Sequence, residues 1–312
     1  MQSLARCVVL MLVAAIGNTT FAQQSDKAQS KAPKPAAPFR WVNELKRKDL
    51  PNLTHHTFAS PSLKTDVGYC IYLPSGYKKA ENLNRRYPVV YYLHGGRPGS
   101  EVKSVSLVEC IHSAQEKGVI PPIIYVFVNG GPVSHYNLPD QPEAQGKDVF
   151  VKELIPHIDQ TYRTIADRNG RALEGFSQGG RGTARISLRH PQLFCSAAPG
   201  GGGHSTEKRI SEENGYENPN LRFAEGDNTW DLARQYAQQK SPALRILVYV
   251  GNKGFNYENN LEWMAHLKSL GIPYERLIVD DAPHSATIIY GKQGETIMKF
   301  HAESFRLSGA LN

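Results

Sequence analysis

Five largely apolar runs, at residues 87–93, 123–128, 172–176, 246–250 and 276–279, interrupted only by Glu174 and Arg276, limit what this chain can fold into. A strand with one wet face alternates apolar and polar residues. A run that stays apolar for five to seven positions reads as a strand buried on both faces, the usual state of parallel strands. Segments of helical character lie between and after the runs, at about 101–117, 148–162, 178–189, 230–239, 258–270 and 296–307. Ahead of them, residues 56–60 and 67–73 alternate as antiparallel strands do, and Pro74-Ser75-Gly76 closes the second. This order predicts an α/β fold with a doubly wound, mostly parallel sheet and helices on both faces. No internal repeat is visible. The stretch 200–228 lacks a clear period and reads as a long surface excursion bordering the strand ends.

The first residues have the pattern of an export signal. Arg6 supplies a positive start, residues 8–16 an apolar stretch, and Thr20-Phe21-Ala22 a small-residue cleavage site, with the cut expected after Ala22. The apolar stretch is too short for a membrane span, and no later window is long and apolar enough. Residues 23–40 read as a Gln/Ser/Lys/Ala/Pro linker and 41–312 as one domain. The expected location is secreted or periplasmic. The formal charge of +7 becomes +6 without Arg6, and four of those six excess charges fall within residues 23–49. The body is therefore close to neutral, which argues against a nucleic-acid partner. Cys7 lies in the signal. Cys70, Cys110 and Cys195 sit in apolar or helical contexts and read as free thiols.

The chemistry gathers at strand ends. Gly175-Phe176-Ser177-Gln178-Gly179-Gly180 follows the run at 172–176 and precedes a helix. A serine on so tight a strand-to-helix turn presents its hydroxyl at the sheet edge, and the flanking glycines answer the lack of room for a Cβ. Ser177 is the candidate nucleophile. His284, in Asp281-Ala282-Pro283-His284, follows the last core strand and is the candidate base. Oxyanion donors are expected at the backbone N–H of Gln178 and at Gly96, in the turn His94-Gly95-Gly96. Asn129, Ser134, His135, Tyr136, His204 and Trp230 lie near strand ends and are candidate substrate contacts, each with an ordinary alternative as a loop anchor.

These motifs together resemble the esterase D-like family of α/β-hydrolases, which includes feruloyl and acetyl-xylan esterases, enterochelin esterase and the mycolyltransferases. The resemblance covers most of the chain after the linker and rests on four segments. They are Tyr72-Leu73-Pro74-Ser75-Gly76-Tyr77, the stretch from Arg86 through His94-Gly95-Gly96, Glu153-Leu154-Ile155-Pro156-His157-Ile158-Asp159, and the turn around Ser177. It implies an α/β-hydrolase sheet, Ser177 and His284 as catalytic residues, ester substrates, no cofactor and no metal. One position departs from it. Relatives read G-x-x-D after the strand at 246–250, where this chain has Gly251-Asn252-Lys253-Gly254. Glu258 is then the first candidate for the acid that orients His284, followed by Asp280 or Asp281, or by no acid at all. The expected activity is a serine carboxylic-ester hydrolase on small-molecule or polysaccharide-linked esters. The glycine at 254 leaves open a weakly active or non-catalytic binding protein, and an acyltransferase would use the same residues. The sequence leaves the oligomeric state open.

Overall fold

The computed structural model describes residues 38–239 and 241–311. The expected export signal and nearly all of the linker lie outside them. In chain order the elements are β1 (Leu53–Ser60), β2 (Thr65–Tyr72), β3 (Val89–Leu93), α1 (Val108–Glu116), β4 (Ile124–Val128), α2 (Gly146–Asp148), α3 (Ile155–Thr161), β5 (Arg171–Phe176), α4 (Gln178–Arg189) and β6 (Ser196–Gly200). They continue with α5 (His204–Glu212), β7 (Tyr216–Asn218), β8 (Leu221–Arg222), α6 (Thr229–Gln239), β9 (Arg245–Gly251), α7 (Tyr257–Ser269), β10 (Glu275–Val279) and α8 (Ala286–Leu307).

Eight strands form one sheet in the order β1-β2-β4-β3-β5-β6-β9-β10. The β1–β2 and β2–β4 pairs are antiparallel, and every pair from β4 to β10 is parallel. The apolar runs are continuous because each strand feeds two cores. Val89, Tyr91 and Leu93 of β3 pack on the side of α3, α4, α6 and α7, whereas Val90 and Tyr92 face α1 and α8. With both faces covered, period-two alternation vanishes from the sequence.

Register places the loops that matter. Leu93 pairs with Gly175, Phe176 with Gly200, Gly200 with Tyr249, and Val279 with Gly251. The carboxyl ends of β3, β5, β6, β9 and β10 therefore reach one edge together, where ligands bind in open α/β sheets. Among the described residues, no helix is long and apolar enough to cross a membrane. Cys70 and Cys195 are buried and free, and Cys110 is half-buried and free.

Besides β6, a Ser-Ala-Ala-Pro-Gly strand that no apolar run marks, three elements differ from the sequence reading. The last helix begins at Ala286 rather than near 296, with the Ser285 hydroxyl accepting from the Ile288 N–H at 3.4 Å as its N-cap. Gly291 and Gly294 in its first half obscure the helical period. Helix α1 begins only at Val108, after a short 3-10 turn. The stretch 200–228 is not irregular but carries α5 and the β7–β8 hairpin, both too short for a period to show.

Candidate active site

Ser177 stands between β5 and α4 with φ 61° and ψ −113°. This is a left-handed backbone that a non-glycine residue holds only under strain, of about 1–3 kcal/mol. The strain is imposed by packing on both sides of the turn. At Gly179 a Cβ would drive into the Leu93 carbonyl, and at Gly180 into the carbonyl of Gly200. The start of α4 thus presses against the ends of β3 and β6, which leaves the serine side chain pointing out of the edge.

Across the sheet, the loop after β10 brings His284 to the same place. Its Nε2 lies 2.9 Å from Ser177 Oγ. Its Nδ1 lies 3.1 Å from Oδ1 of Asn256, on the turn between β9 and α7. The Asn256 amide nitrogen donates to the carbonyl of Gly201 and, at 3.2 Å, to that of Gly202. With its nitrogen committed to two acceptors, the amide can present only oxygen to the imidazole. His284 therefore carries its proton on Nδ1, and Nε2 is left to accept from the Ser177 hydroxyl. Burial lowers the His284 pKa below the ordinary imidazole value.

The sequence offered Glu258, then Asp280 or Asp281, or no acid at all as the group behind His284, and the structure places an amide there instead of any of the three carboxylates. Glu258 is exposed in the first turn of α7 and has no hydrogen bond or ion pair among the described residues. Asp280 is exposed and accepts from the Asn252 side chain at 2.9 Å, while the Asp281 backbone N–H donates to Asn252 Oδ1. None of the three meets His284. A Cβ at Gly254 would lie 3.3 Å from Asn256 Oδ1 and 3.6 Å from the His284 backbone nitrogen. The amide of Asn256 fills the space that a side chain at 254 would enter. The only sequence signal for it is a polar residue two positions after that glycine.

The turn at 94–96, where an oxyanion donor is expected from sequence, is built from behind. The His94 Nε2 accepts from the N–H groups of Gly130 (3.1 Å) and Ser100 (3.3 Å), so Nδ1 carries the proton and donates to the Gly95 carbonyl at 3.0 Å. Burial pushes the His94 pKa down to about 4, which keeps it neutral. The Ser134 hydroxyl donates to the Gly96 carbonyl at 2.6 Å, and His135 Nε2 donates to the His94 carbonyl at 3.0 Å. A Cβ at Gly95 would lie 3.3 Å from that of Ser177, which shows how closely this backbone approaches the serine. Gly96 has φ +69°, and neither its N–H nor that of Gln178 finds an acceptor among the described residues.

The candidate substrate contacts are buried anchors. Asn129 donates to the Trp41 carbonyl (3.1 Å) and to Glu101 (3.0 Å) and accepts from the Gly131 N–H (3.1 Å). His135, like Ser134, supports the oxyanion turn from inside, and burial holds its pKa well below the ordinary value. Tyr136 donates to Glu207 beneath the Arg185 guanidinium. His204 stacks on Trp263 with ring centroids 4.0 Å apart, and burial lowers its pKa to about 3. Trp230 donates its indole N–H to the His204 carbonyl at 2.9 Å. Each of these residues is 8% exposed or less. A ring or amide near a strand end has polar atoms to satisfy, and here the loop backbone and buried charges satisfy them from within.

Sequence reading also missed a charged group beside the turn at 94–96. Arg97 makes a two-pronged bond to Glu217 on β7 (2.7 and 2.9 Å), and Arg181 on α4 reaches Glu217 at 2.9 Å and Glu207 on α5 at 2.6 Å. Burial pushes the Glu217 pKa up, but the Arg97 bond and the two guanidinium charges outweigh it and hold it at about 2.

Comparison with known proteins agrees with this layout. A ferulic acid esterase of known structure superposes with a TM-score of 0.64 at 21% identity, covering 81% of this chain and 98% of its own, which shows an α/β-hydrolase fold. Esterase MT1326 of Mycobacterium tuberculosis is 27% identical over 161 residues, 51% of this chain and 34% of the relative. The endo-1,4-beta-xylanase/feruloyl esterase of Xylanibacter ruminicola is 32% identical over 160 residues, 47% of this chain and 21% of the relative. The chain thus spans only about a third and a fifth of the length of these curated relatives. Residues 60–269 match the family model described as Putative esterase, a span that runs from the end of β1 to the end of α7 and includes both Ser177 and Asn256. The chain belongs to the Putative esterase family.

Proposed function

We propose that this protein is an exported serine carboxylic-ester hydrolase whose base is oriented by an amide. The observation that carries the reading is the unbroken relay from Ser177 Oγ through His284 to Asn256, with links of 2.9 and 3.1 Å. His284 Nε2 takes the hydroxyl proton as Ser177 Oγ attacks the ester carbonyl carbon. The N–H groups of Gly96 and Gln178 hold the oxygen that gains the charge, each worth about 3 kcal/mol at the transition state. When the tetrahedral adduct collapses, the same Nε2–H protonates the leaving alcohol oxygen. Water then attacks the acyl carbon as Nε2 takes its proton, and Nε2 returns that proton to Ser177 Oγ as the C–Oγ bond breaks and the acid leaves. Asn256 keeps the Nδ1 proton in place, as the amide does in Cys-His-Asn triads. It offers no negative charge to the imidazolium, so turnover is expected to be slower than in a carboxylate triad.

Export rests on the signal-like residues 1–22, and carbohydrate-linked acyl esters are the favoured substrates because one relative is a feruloyl esterase. The neutral orienting group supports a second reading, a binding protein with little or no turnover. A fluorophosphonate probe separates the two. The hydrolase reading expects stoichiometric labelling of the folded wild type and none of Ser177→Ala. Failure to label the wild type would sink it.

A further inference from the structure

Phe255 is 82% exposed, the most exposed large hydrophobic side chain among the described residues. Its ring nevertheless lies against the imidazole of His284, with centroids 4.3 Å apart and planes at 49°. The turn that carries it is well anchored. The backbone N–H of Lys253 donates to the Ala282 carbonyl, that of Gly254 to Gly251, and that of Tyr257 to Gly254, each at 3.0 Å. Asn256, the next residue, is buried and bonded on both sides of its amide. An aromatic ring left in water gains nothing for folding. Here a fixed backbone holds one against the imidazole of His284.

Which half of an ester would meet this ring follows from the proposed chemistry, on which the inference rests. Nε2 of His284 must deliver its proton to the oxygen of the departing alcohol. That oxygen, with whatever it carries, therefore sits at His284, and the acyl group extends away from it. A ring packed on His284 borders the alcohol. Next to it in the chain, the exposed Lys253 side chain has no hydrogen-bond or charge partner among the described residues, and exposed Asp280, bonded to Asn252, and exposed Asp281 lie on the neighbouring turn. A flat apolar face with exposed polar side chains on its own turn and the next matches a molecule with a C–H face and a hydroxyl rim. We propose that Phe255 is the platform for the alcohol half of the substrate, and that this half is a pyranose ring.

The test holds the acyl group constant and varies the alcohol: an acetylated methyl xylopyranoside, phenyl acetate and ethyl acetate, with wild type, Phe255→Ala and Phe255→Trp. The ratio of kcat/KM for the sugar ester to that for ethyl acetate is expected to fall about tenfold in Phe255→Ala, mainly through KM, and to persist in Phe255→Trp. An equal loss on both esters would mean that the ring acts only by packing on His284, and no loss on either would mean that the alcohol binds elsewhere; both overturn the proposal. A fall in the phenyl acetate ratio as large as that for the sugar ester overturns the assignment to a pyranose. Failure of the hydrolase reading looks different: wild type would then leave all three esters intact and escape the fluorophosphonate. The side chain is too exposed for its loss to unfold the protein, and unchanged melting temperatures would verify this.

Discussion

Asn256 accepts from His284 only because its own nitrogen is engaged by two backbone carbonyls, and this decides what a carboxylate there would do. In Asn256→Asp the second oxygen would face Gly201 and Gly202, where only a protonated carboxyl can donate. Its folded pKa should be raised above the unfolded value, so the variant keeps its stability at acid pH and loses it as pH rises through the folded pKa. The expected cost above that value is about 1–3 kcal/mol. Melting temperatures at pH 5 and pH 8 check this, and equal deficits at both would refute it. The pH profile offers a second test. Burial lowers the His284 pKa and no carboxylate on Nδ1 opposes it. Since the base acts only when neutral, activity should fall as pH drops through that lowered value. A limb of kcat/KM above the ordinary imidazole value would contradict the assignment. Ser177 and His284 could be read from sequence because a tight turn forces glycines around the serine and the histidine follows the last strand. Asn256 could not, because an asparagine at a loop end has many ordinary uses.

At the level of elements, what the sequence revealed depends on steric crowding and on length. Five of the six parallel strands and α4 were legible because two-sided burial and the glycine-flanked turn write strong patterns, whereas β6, built of small residues, was not. Helix α4 matches its expected span of 178–189. Short or glycine-interrupted pieces, such as α5, the β7–β8 hairpin and the first half of α8, carry too few residues per turn pattern to register. The crowding at α4 predicts that Gly179→Ala displaces either the helix or the end of β3, because the new methyl meets the Leu93 backbone rather than a mobile side chain. A stability loss of about 1–3 kcal/mol is expected in urea unfolding. Phosphonate labelling of Ser177 should slow in the same variant, and a protein as stable and as reactive as wild type would count against the packing described.

Across the molecule, the stretch 200–228 that looked featureless is tied to the rest by charge. Glu207 is fully buried and accepts from Arg181 and from the Thr229 N–H at 2.6 and 2.8 Å, with Arg185 at 3.7 Å. Removing it leaves buried Arg181 with Glu217 as its one carboxylate and buried Arg185 with only Asp227, 4.0 Å away, so Glu207→Ala should cost about 3–5 kcal/mol. Chemical denaturation measures this, and a loss below about 1 kcal/mol would show that solvent reaches the arginines after all. Sequence could not reveal the pairing, since Arg181, Glu207 and Glu217 are ordinary surface residue types until the chain brings them together. The same stretch supplies the two carbonyls that grip the Asn256 amide, so the glycine run after β6 and the imidazole behave as one mechanical part. A ligand that pries Gly201 and Gly202 outward releases the amide to swivel, and the tautomer lock goes with it. The ring-nitrogen proton of His284, followed by NMR during titration, would then sense pressure on a loop it does not touch.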